Sequence, residues 1–401
     1  MEIIKLPRLE RIIFHKKGCN NIIKQLIAPE FDLPLNIEEV SRSYVIINYI
    51  GTKYCLTCNK DTYPQDIAYV LLTNTRPTKE KLVSCSVCIK CWLKHPLLKE
   101  YSTKDVIQSW KNDFFFKEED QNNNGLRQPQ IGALHMILGH LKMPLETATV
   151  VLPTGTGKTE TMLSALVANQ CERLLVTVPS NSLRNQIFNK FETFGLLKSF
   201  GIIGEKSLYP IVGIIKEKFE TSDLLKSFLA QCNVIVTTMQ ILIGCSDEEQ
   251  NLFVSQCSHI FIDEAHHVKA PSWNLFKNRF PAEKVIQFTA TPFRNDGQRL
   301  DGKIIFNFPL KYAQEQGYFT KIDFIPIKEY DSDKADEIIA EIAVQRLRED
   351  LVKYNHILMA RCATKERAEK IFEIYKKHTD LNPVIIYSNC HDYRNVYQKI
   401  L

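Results

Sequence analysis

Residues 148–159 read Ala-Thr-Val-Val-Leu-Pro-Thr-Gly-Thr-Gly-Lys-Thr, an apolar run that ends in a turn rich in glycine and hydroxyl residues. The β-branched run predicts a buried strand over 148–152, and the pattern from Lys158 to Cys171 predicts the helix that follows it. Gly155 and Gly157 allow backbone N–H groups to turn toward phosphate oxygens, and the new helix directs its positive N-terminus to the same place. The stretch therefore predicts a phosphate-binding loop between a strand and a helix.

The residues of this loop have expected contacts with a nucleoside triphosphate. Lys158 is expected to reach the β- and γ-phosphates, and the Thr159 hydroxyl is expected to bind Mg²⁺. The part of the loop that would surround the phosphates consists of Pro153, Thr154, Gly155, Thr156 and Gly157. The general pattern Gly-x-x-x-x-Gly-Lys has a glycine where this chain has Leu152. A chance glycine turn is the alternative, but the strand, the helix and the Gly-Lys-Thr ending together favour an ATP site.

A pair of adjacent carboxylates follows another apolar strand later in the chain. Residues 259–262 predict that strand, and Asp263-Glu264-Ala265-His266 comes directly after it. Two carboxylates at a strand end are costly to place there without a cation. We expect Asp263 to hold Mg²⁺ and Glu264 to act as the general base that activates the attacking water, with His266 in the same catalytic stretch. Alone, such a pair is usually a solvated turn; after a phosphate loop, it predicts the second half of an ATP-hydrolysing site.

The pattern that surrounds both motifs predicts an α/β fold with a parallel sheet. Short β-branched runs alternate with helical patterns such as 182–194, and these runs lie at 148–152, 173–178, 234–238, 259–262 and 284–288. Buried strands that alternate with helices indicate a parallel sheet with helices on both faces. A second α/β segment is expected from about residue 338, with helices at 338–353 and 365–377 and strands at 356–360 and 384–387.

Composition and charge exclude several classes of protein. The 401 residues are 44% hydrophobic and 24% charged, with a formal net charge of +5, as in an ordinary globular protein. Such a weakly basic balance says little about a polyanionic partner. Charges and Pro7 interrupt the N-terminal apolar residues, which is not typical of a signal peptide. No stretch approaches the ~20 apolar residues of a membrane helix, so we expect a cytoplasmic protein.

Five of the twelve cysteines lie close together near the N-terminus, at Cys55, Cys58, Cys85, Cys88 and Cys91. In a reducing compartment, metal binding accounts for such a cluster better than disulfides do. Two Cys-x-x-Cys pairs, Cys55 with Cys58 and Cys85 with Cys88, predict a tetrahedral Zn²⁺ site, for which Cys91 is an alternative ligand. The alternatives to zinc are an iron–sulfur cluster, a redox pair and free surface cysteines. The neighbouring Trp92 is expected either to cover the metal or to stack on a nucleic-acid strand.

The two strong motifs together resemble a known family. Thr-Gly-Thr-Gly-Lys-Thr at 154–159 with Asp-Glu-Ala-His at 263–266 is similar to the DEAH-box pattern of superfamily 2 helicases and translocases, in particular those of restriction and DNA repair. The resemblance covers roughly residues 125–390. It implies a P-loop ATPase with two RecA-like lobes that close on ATP and move along DNA.

Weaker motifs occur in the order that this family implies. Residues 126–130 resemble its adenine-recognising segment, which implies base or nucleotide contacts for Arg127 and Gln130. Residues 178–186 and 236–240 resemble its turns that contact the nucleic-acid backbone, which implies such contacts for Ser180, Arg184, Thr237 and Thr238. Residues 289–292 resemble the motif that links the ATP state to strand movement through Thr289 and Thr291. Hydroxyls at strand ends suit a phosphate backbone and do not read sequence.

The resemblance and the cysteine cluster together predict four segments. We expect an unassigned N-terminal segment at 1–44, a zinc-binding module and linker at 45–120, a first RecA-like lobe at 121–310, and a hinge with a partial second lobe at 311–401. Residues 357–366 and 384–388 resemble the first two strands of that second lobe, but no Gln-x-x-Gly-Arg-x-x-Arg motif follows them. We therefore expect a fragment or truncated product that hydrolyses ATP poorly unless a missing lobe or a partner subunit supplies the arginines.

The resulting prediction is an ATP-dependent DNA helicase or translocase that uses ATP and Mg²⁺ and carries a structural Zn²⁺. One alternative is a nucleotide-gated subunit of a defence or repair complex that does not translocate. Glu264 argues against a pure switch, because a switch does not need the general base. Another alternative is an RNA helicase, since no motif reads the 2′-hydroxyl group.

Overall fold

The computed structural model describes residues 2–143, 146–267, 271–293, 297, 299–320 and 324–386. These residues fall into two compact units, which meet in the sequence at Thr320 and Lys321. The larger unit holds all the strands that the structure describes, and the smaller one is helical.

A nine-stranded sheet forms the centre of the larger unit within the described residues. Its strands, in order across the sheet, are β16 (Lys303–Asn307), β10 (Ala148–Val151), β15 (Val285–Thr289), β14 (His259–Ile262), β11 (Leu174–Val178), β13 (Val234–Thr238), β12 (Ile211–Ile214), β3 (Ile22–Ala28) and β2 (Leu9–His15). Neighbouring strands from β16 to β12 are parallel, whereas β3 and β2 are added in antiparallel fashion. Every residue of β10, β11, β13 and β15 is buried, so both faces of the sheet are covered. The predicted α/β fold with a parallel sheet is confirmed.

The helices of this unit follow the expected alternation with strands. They are α3 (Gln128–Lys142), α4 (Lys158–Ala168), α5 (Asn181–Thr193), α6 (Ser222–Ala230), α7 (Met239–Ile243), α8 (Asp247–Gln256), α9 (Pro271–Lys277) and α10 (Leu310–Glu315). Local chemistry fixes where several of them begin. The Ser180 and Thr221 hydroxyls accept hydrogen bonds from the first turns of α5 and α6, and Ser246 forms a capping box with Glu249 in α8. No helix in the described ranges is both long and apolar enough to cross a lipid bilayer.

The N-terminal part of the chain forms a separate small sheet and also contributes to the large one. β5 (Ile37–Val40), β6 (Tyr44–Tyr49), β7 (Thr52–Thr57), β8 (Tyr69–Thr73) and β9 (Ile89–Lys94) form a five-stranded sheet, and β1 (Ile3–Leu6) pairs with β4 (Phe31–Pro34). Short helices α1 (Lys79–Val83) and α2 (Thr103–Ser109) complete this part. Its core includes Val45, Ile47, Leu56 and Leu71, all fully buried. Residues 9–28, for which the sequence predicts no particular structure, contain the antiparallel edge of the nine-stranded sheet.

The polar stretch 117–125, which the sequence predicts to be a linker, is folded back on itself. Glu119 N–H donates to the Leu126 carbonyl, and Leu126 N–H donates to the Lys117 carbonyl. A Cβ on Gly125 would lie 2.4 Å from the backbone carbon of Glu118, so only glycine permits this close approach. The stretch is therefore a compact loop that leads directly into α3.

The smaller unit does not contain the strands that the sequence predicts. It has two helices in its described part, α11 (Ser332–Leu351) and α12 (Lys365–Tyr375), joined by an ion pair of 2.6 Å between Arg367 and Asp336. Residues 356–360 and 384–386 form no strand, and residue 387 lies outside the described residues. The prediction of two strands is wrong for the described residues, since neither segment belongs to a β-ladder there. Ile357 and Met359 consequently stay 71% and 87% exposed.

Candidate functional site

The predicted motifs come together because their strands are neighbours in one parallel sheet. The phosphate loop follows β10, Thr289 ends the adjacent β15, and Asp263 follows β14, the next strand along. The strands β11 and β13, which precede Ser180 and contain Thr238, occupy the next two positions. Since the carboxyl ends of parallel strands meet at one edge of a sheet, all these side chains lie along a single edge.

The phosphate loop has the backbone that its two glycines allow. Gly155 and Gly157 have φ angles of +86° and +93°, in the left-handed region that L side chains rarely adopt. The Thr156 hydroxyl, which is fully buried, donates to the Pro153 carbonyl at 2.7 Å and closes the turn. Lys158 then begins α4, so the N-terminus of that helix faces the loop. Thr154 and Gly155 are exposed and Thr159 is half-buried, which leaves the outer side of the loop accessible.

The side chains of Arg127 and Gln130 form hydrogen bonds with the backbone of the phosphate loop. The Gln130 amide accepts a hydrogen bond from Arg127 N–H at 2.7 Å and donates to the Gly157 carbonyl at 3.2 Å. A Cβ on Gly157 would come within 1.9 Å of Gln130 Nε2, so any larger residue at position 157 would have to displace the Gln130 side chain. The Arg127 guanidinium donates to the Gly155 carbonyl at 2.9 Å. Both side chains are therefore joined to the loop; contact of Gln130 with a base stays a prediction.

The carboxylates that the sequence predicts to be catalytic lie beside the loop lysine. Nζ of Lys158 is 3.1 Å from Oε1 of Glu264, and both side chains are largely buried. The angles of this contact are those of an ion pair and not of a hydrogen bond, so the lysine nitrogen makes no hydrogen bond within the described part of the chain, and neither does Oε2 of Glu264. Glu264 also has a φ of +50°, a conformation that costs a non-glycine residue energy and is typical of functional sites. Within the described residues, Glu264 is therefore the one ionic partner of this buried ammonium.

The environment of Asp263 favours its neutral form in the absence of a cation. The side chain is 4% exposed and accepts a hydrogen bond from Glu264 N–H at 3.0 Å. Burial and, secondarily, the neighbouring Glu264 carboxylate raise the pKa of Asp263 to about 6, while Lys158 opposes the shift. A divalent cation would reverse this effect, because its charge favours the ionised carboxylate. The donor set of Asp263 and the half-buried Thr159 hydroxyl suits Mg²⁺, which prefers oxygen ligands.

His266 connects the carboxylates to the end of β15. Nδ1 of His266 is 3.0 Å from the Thr289 hydroxyl and 3.4 Å from Oε2 of Glu264. The Thr289 hydroxyl in turn donates to the Thr291 carbonyl at 2.8 Å. Burial lowers the pKa of His266, so the imidazole is held in its neutral form near pH 7. A continuous chain of polar contacts thus runs from Glu264 to Thr291.

The residues expected to contact nucleic acid differ in their exposure. Ser180 caps α5 with its hydroxyl, which accepts from Leu183 N–H. Arg184 is only 5% exposed, and its guanidinium donates to the Ile215 carbonyl at 3.4 Å, beyond the end of β12. Thr237 is fully buried and Thr238 is 3% exposed. In this structure Arg184 holds two elements together, and contacts of these residues with a strand stay predictions.

A cavity of 410 Å³ beside the loop contains residues that the sequence did not point to. It is lined by Glu118, Glu119, Arg127, Gln128, Gln316 and Tyr318. The Arg127 guanidinium lies 5.4 Å from the centre of the Tyr318 ring, and Phe319 packs against Gly155. Tyr318 and Phe319 follow α10, far from Arg127 in the sequence and outside every motif. No local pattern could have identified them.

The structure does not bring the N-terminal cysteines together. No group of three or more potential metal ligands is present among the residues that the structure describes. Cys55 lies in β7 with its side chain fully buried in an apolar cluster that includes Ile46 and Val70, and burial raises its thiol pKa to about 12. Cys58, Cys85, Cys88 and Cys91 are exposed free thiols. The predicted Zn²⁺ site is therefore not supported, because strand β7 directs one of its four ligands into the core. The same finding leaves an iron–sulfur cluster without support.

Trp92 has a structural contact of its own. Its indole N–H donates to the Pro7 carbonyl at 2.8 Å, and its ring packs edge-on against His95. The half-buried side chain thereby connects β9 to the start of β2. This contact accounts for Trp92 without a metal or a nucleic-acid strand.

Comparison with known proteins gives a family match for the central segment of the chain. Residues 123–294 match the family model ResIII, described as "Type III restriction enzyme, res subunit". No curated protein matches the chain. Among solved structures, the UvsW helicase from bacteriophage T4 is 14% identical over 48% of this chain and 62% of its own, with a TM-score of 0.31. The type ISP restriction-modification enzyme LlaGI, solved with a DNA substrate mimic, is 16% identical over 69% of this chain and 31% of its own, with a TM-score of 0.35.

A third similar structure is the Hef helicase domain of Pyrococcus furiosus, which is 16% identical over 67% of this chain and 56% of its own, with a TM-score of 0.32. A second UvsW structure matches 75% of this chain and 60% of its own. This chain thus spans less than two thirds of the length of each of these relatives.

Proposed function

We propose that this chain contains a superfamily 2 helicase-type ATPase domain of the restriction and repair type and hydrolyses ATP to move along DNA, which the family match of residues 123–294 supports. One observation carries the proposal. The buried Lys158 ammonium, 3.1 Å from Glu264, makes no hydrogen bond within the described residues and follows a loop whose two glycines have positive φ angles. An anionic γ-phosphate is the ligand that would satisfy both the ammonium and the loop N–H groups.

Roles in hydrolysis follow from the contacts of each side chain. Lys158 and the N–H groups of the loop would bind the phosphates, and Asp263 with Thr159 would hold Mg²⁺, which supplies charge neutralisation when bound. Phosphate binding would draw Lys158 away from Glu264. The freed Glu264 carboxylate would then accept a proton from the attacking water. The neutral His266 lies beside that carboxylate, with Nδ1 3.4 Å from Oε2, and makes no hydrogen bond to it.

A binding site for the base is the part of the proposal that rests on the 410 Å³ cavity. The Tyr318 ring and the Arg127 guanidinium offer planar surfaces to a purine, and the Glu119 carboxylate lies 3.5 Å from Arg127 Nε. Since Arg127 also donates to the loop at Gly155, a base bound here would be fixed relative to its phosphates.

Coupling between ATP and the strand would use the sheet edge. The polar chain from Glu264 through His266 and Thr289 ends at Thr291, on the same edge of the sheet as the positions proposed to contact the nucleic-acid backbone. Residues 121–310, within the larger unit, would be the first RecA-like lobe of the motor. The γ-phosphate arginines of a second lobe have no assigned residue here, and a further part of the protein or a partner subunit is proposed to supply them.

The experiment that tests the function is ATP hydrolysis by the wild-type chain and by Lys158→Ala, with and without single- and double-stranded DNA. A rate that DNA raises and that requires Lys158 supports a motor. ATP binding without any stimulated turnover would instead favour the nucleotide-gated subunit. Matched RNA strands in the same assay distinguish the two tracks, since stronger stimulation by RNA would replace DNA in the proposal.

A further inference from the structure

A second cavity, of 310 Å³, lies where the N-terminal hairpin joins the parallel sheet. We define this hairpin groove by its residues on three elements: β3, α5, and the end of β12. Its apolar residues are Ile22, Phe188 and Ile214, of which Ile214 and Phe188 are buried and Ile22 half-buried. The groove thus has an apolar floor at the outer side of the sheet.

The rim of the hairpin groove is polar and carries lysines. Asn185 and Asn189 are exposed on successive turns of α5, and Lys24 and Lys216 lie on the opposite side of the cavity. An apolar floor with amide and ammonium groups around it suits a nucleotide, whose base has apolar faces and polar edges and whose phosphate is anionic.

Buried hydrogen bonds hold the groove open in a fixed shape. Asn21 is fully buried, and its side-chain oxygen accepts from the N–H groups of Lys216 at 2.7 Å and Glu217 at 3.1 Å. Its amide group donates to the Glu217 carbonyl at 3.0 Å. The Glu217 carboxylate accepts hydrogen bonds from the Asn20 backbone N–H and from the Asn20 side-chain amide. These bonds fasten the start of β3 to the end of β12, so the groove is preformed.

The groove continues the edge along which the motifs lie. β12 is parallel to β13, so its end at Ile214 lies at the same edge as Thr238. Arg184 joins that end to α5 through the Ile215 carbonyl. The exposed Lys218 comes next, and a Cβ on Gly244, just beyond α7, would lie 3.0 Å from its Cε. Lys216 and Lys218 therefore form a basic link between the groove and the turn at Thr238.

The charges that face the groove distinguish its two lysines. The Lys24 ammonium is 3.2 Å from the Glu10 carboxylate, which Arg8 also approaches at 2.6 Å. Arg8 in turn pairs with the buried Glu192 at 3.2 Å, so these four residues together are neutral. No carboxylate of the described residues lies within ion-pair distance of Lys216. Lys216 therefore supplies the net positive charge of the groove.

We propose that the hairpin groove binds one nucleotide of a single-stranded nucleic acid and so extends the track of the motor onto its N-terminal hairpin. Lys216 would contact the phosphate, and the floor formed by Ile22 and Ile214 would receive the sugar or an unstacked base. A duplex cannot reach this recessed floor without unstacking, which is why the ligand is a single strand. This inference rests on the proposed function and adds a site that does not depend on the ATP cycle.

The test measures anisotropy of a labelled oligothymidylate of about 20 nucleotides against salt concentration, without nucleotide. Lys216→Gln is expected to weaken binding roughly fivefold and to reduce the slope of log K against log salt by ~0.7, the value for one lost phosphate contact on a single strand. Asn185→Trp keeps every charge but fills the groove, and it should weaken binding by a similar factor. Lys303→Gln is the matched control, since this exposed lysine begins β16 at the opposite edge of the sheet.

Each outcome decides the proposal. If Lys216→Gln and Asn185→Trp bind the oligothymidylate as tightly as Lys303→Gln does, with unchanged melting temperatures, the groove is not part of the track. The proposed ATPase function is then still judged by its own stimulation assay. If the wild-type chain binds no strand and none stimulates hydrolysis, both proposals fall. Repeating the series with oligouridylate shows whether the same groove accepts RNA, which would support the groove and change only the track.

Discussion

Replacing Asp263 by asparagine is expected to stabilise the nucleotide-free fold while it abolishes ATP hydrolysis. The carboxyl group is 4% exposed, and burial together with the Glu264 carboxylate raises its pKa to about 6. Above that pH the folded protein must hold a charge that its surroundings disfavour. Asparagine has nearly the same shape and can still accept the hydrogen bond from Glu264 N–H, but it carries no charge.

The magnitude follows from the pKa difference between the folded and unfolded states. The Asp263 pKa rises from 3.8 to about 6 on folding, so the folded state retains its proton more strongly. The contribution of Asp263 to the free energy of unfolding has its full value below about pH 4 and is lost as the pH rises through 6. The loss amounts to about 3 kcal/mol above pH 7, at 1.36 kcal/mol for each pKa unit, and to about 1.5 kcal/mol at pH 5. The Asp263→Asn variant would not suffer this loss.

Urea unfolding at pH 8 and pH 5, in EDTA and followed by tryptophan fluorescence, measures the difference. Trp110 and Trp273 are both 1% exposed in the larger unit and report its unfolding. The variant should exceed the wild type by about 3 kcal/mol at pH 8 and by about half as much at pH 5. Asp61→Asn, at an exposed turn, provides the matched control and should change neither value.

Two results would refute the reasoning. A variant that gains nothing at pH 8 would show that Asp263 is not penalised as a buried charge. A gain of equal size at both pH values would show that packing, rather than ionisation, is responsible. Addition of Mg²⁺ and ATP should stabilise the wild type and leave the variant nearly unchanged, because the cation compensates the charge that only the wild type carries.

Glu264→Gln should have the opposite effect and lower the free energy of unfolding by about 1–3 kcal/mol without nucleotide, because it leaves the buried Lys158 ammonium uncompensated. A urea midpoint equal to that of the wild type would contradict this. Gly157→Ala should abolish ATP binding in calorimetry, since its Cβ has no space, while Gly139→Ala, with nothing within 4 Å, should bind normally; normal binding by both would mean that the loop adapts. Cys55→Ser should lower the melting temperature and Cys58→Ser should not, because only the first is buried, whereas equal losses would revive a shared metal site.

Much of the ATP site can be predicted from the sequence because its geometry is local. A strand, two glycines and a helix N-terminus within twelve residues leave the backbone few alternatives, and Gly155 and Gly157 have the positive φ angles that such a loop requires. The apolar runs before Ser180, Asp263 and Thr289 likewise predict buried parallel strands, and the strands lie within a residue or two of the expected bounds.

Predictions that depended on partners distant in the sequence were less successful. The segments at 356–360 and 384–386 have strand-like composition, but composition cannot supply the neighbouring strand that a β-ladder requires. The cysteine spacing suggested a metal site, yet the register of β7 turns Cys55 into the core, and register depends on the whole sheet.

Local residue chemistry thus determines the phosphate loop, the carboxylate pair and the alternation of strands and helices. The order of the strands, which joins β10, β15 and β14 side by side, arises from packing among residues far apart in the chain. The same long-range packing places Tyr318 beside Arg127 and fastens Asn21 to the end of β12. Such contacts leave no periodic trace in the sequence, because each depends on which surfaces meet once the sheet has formed.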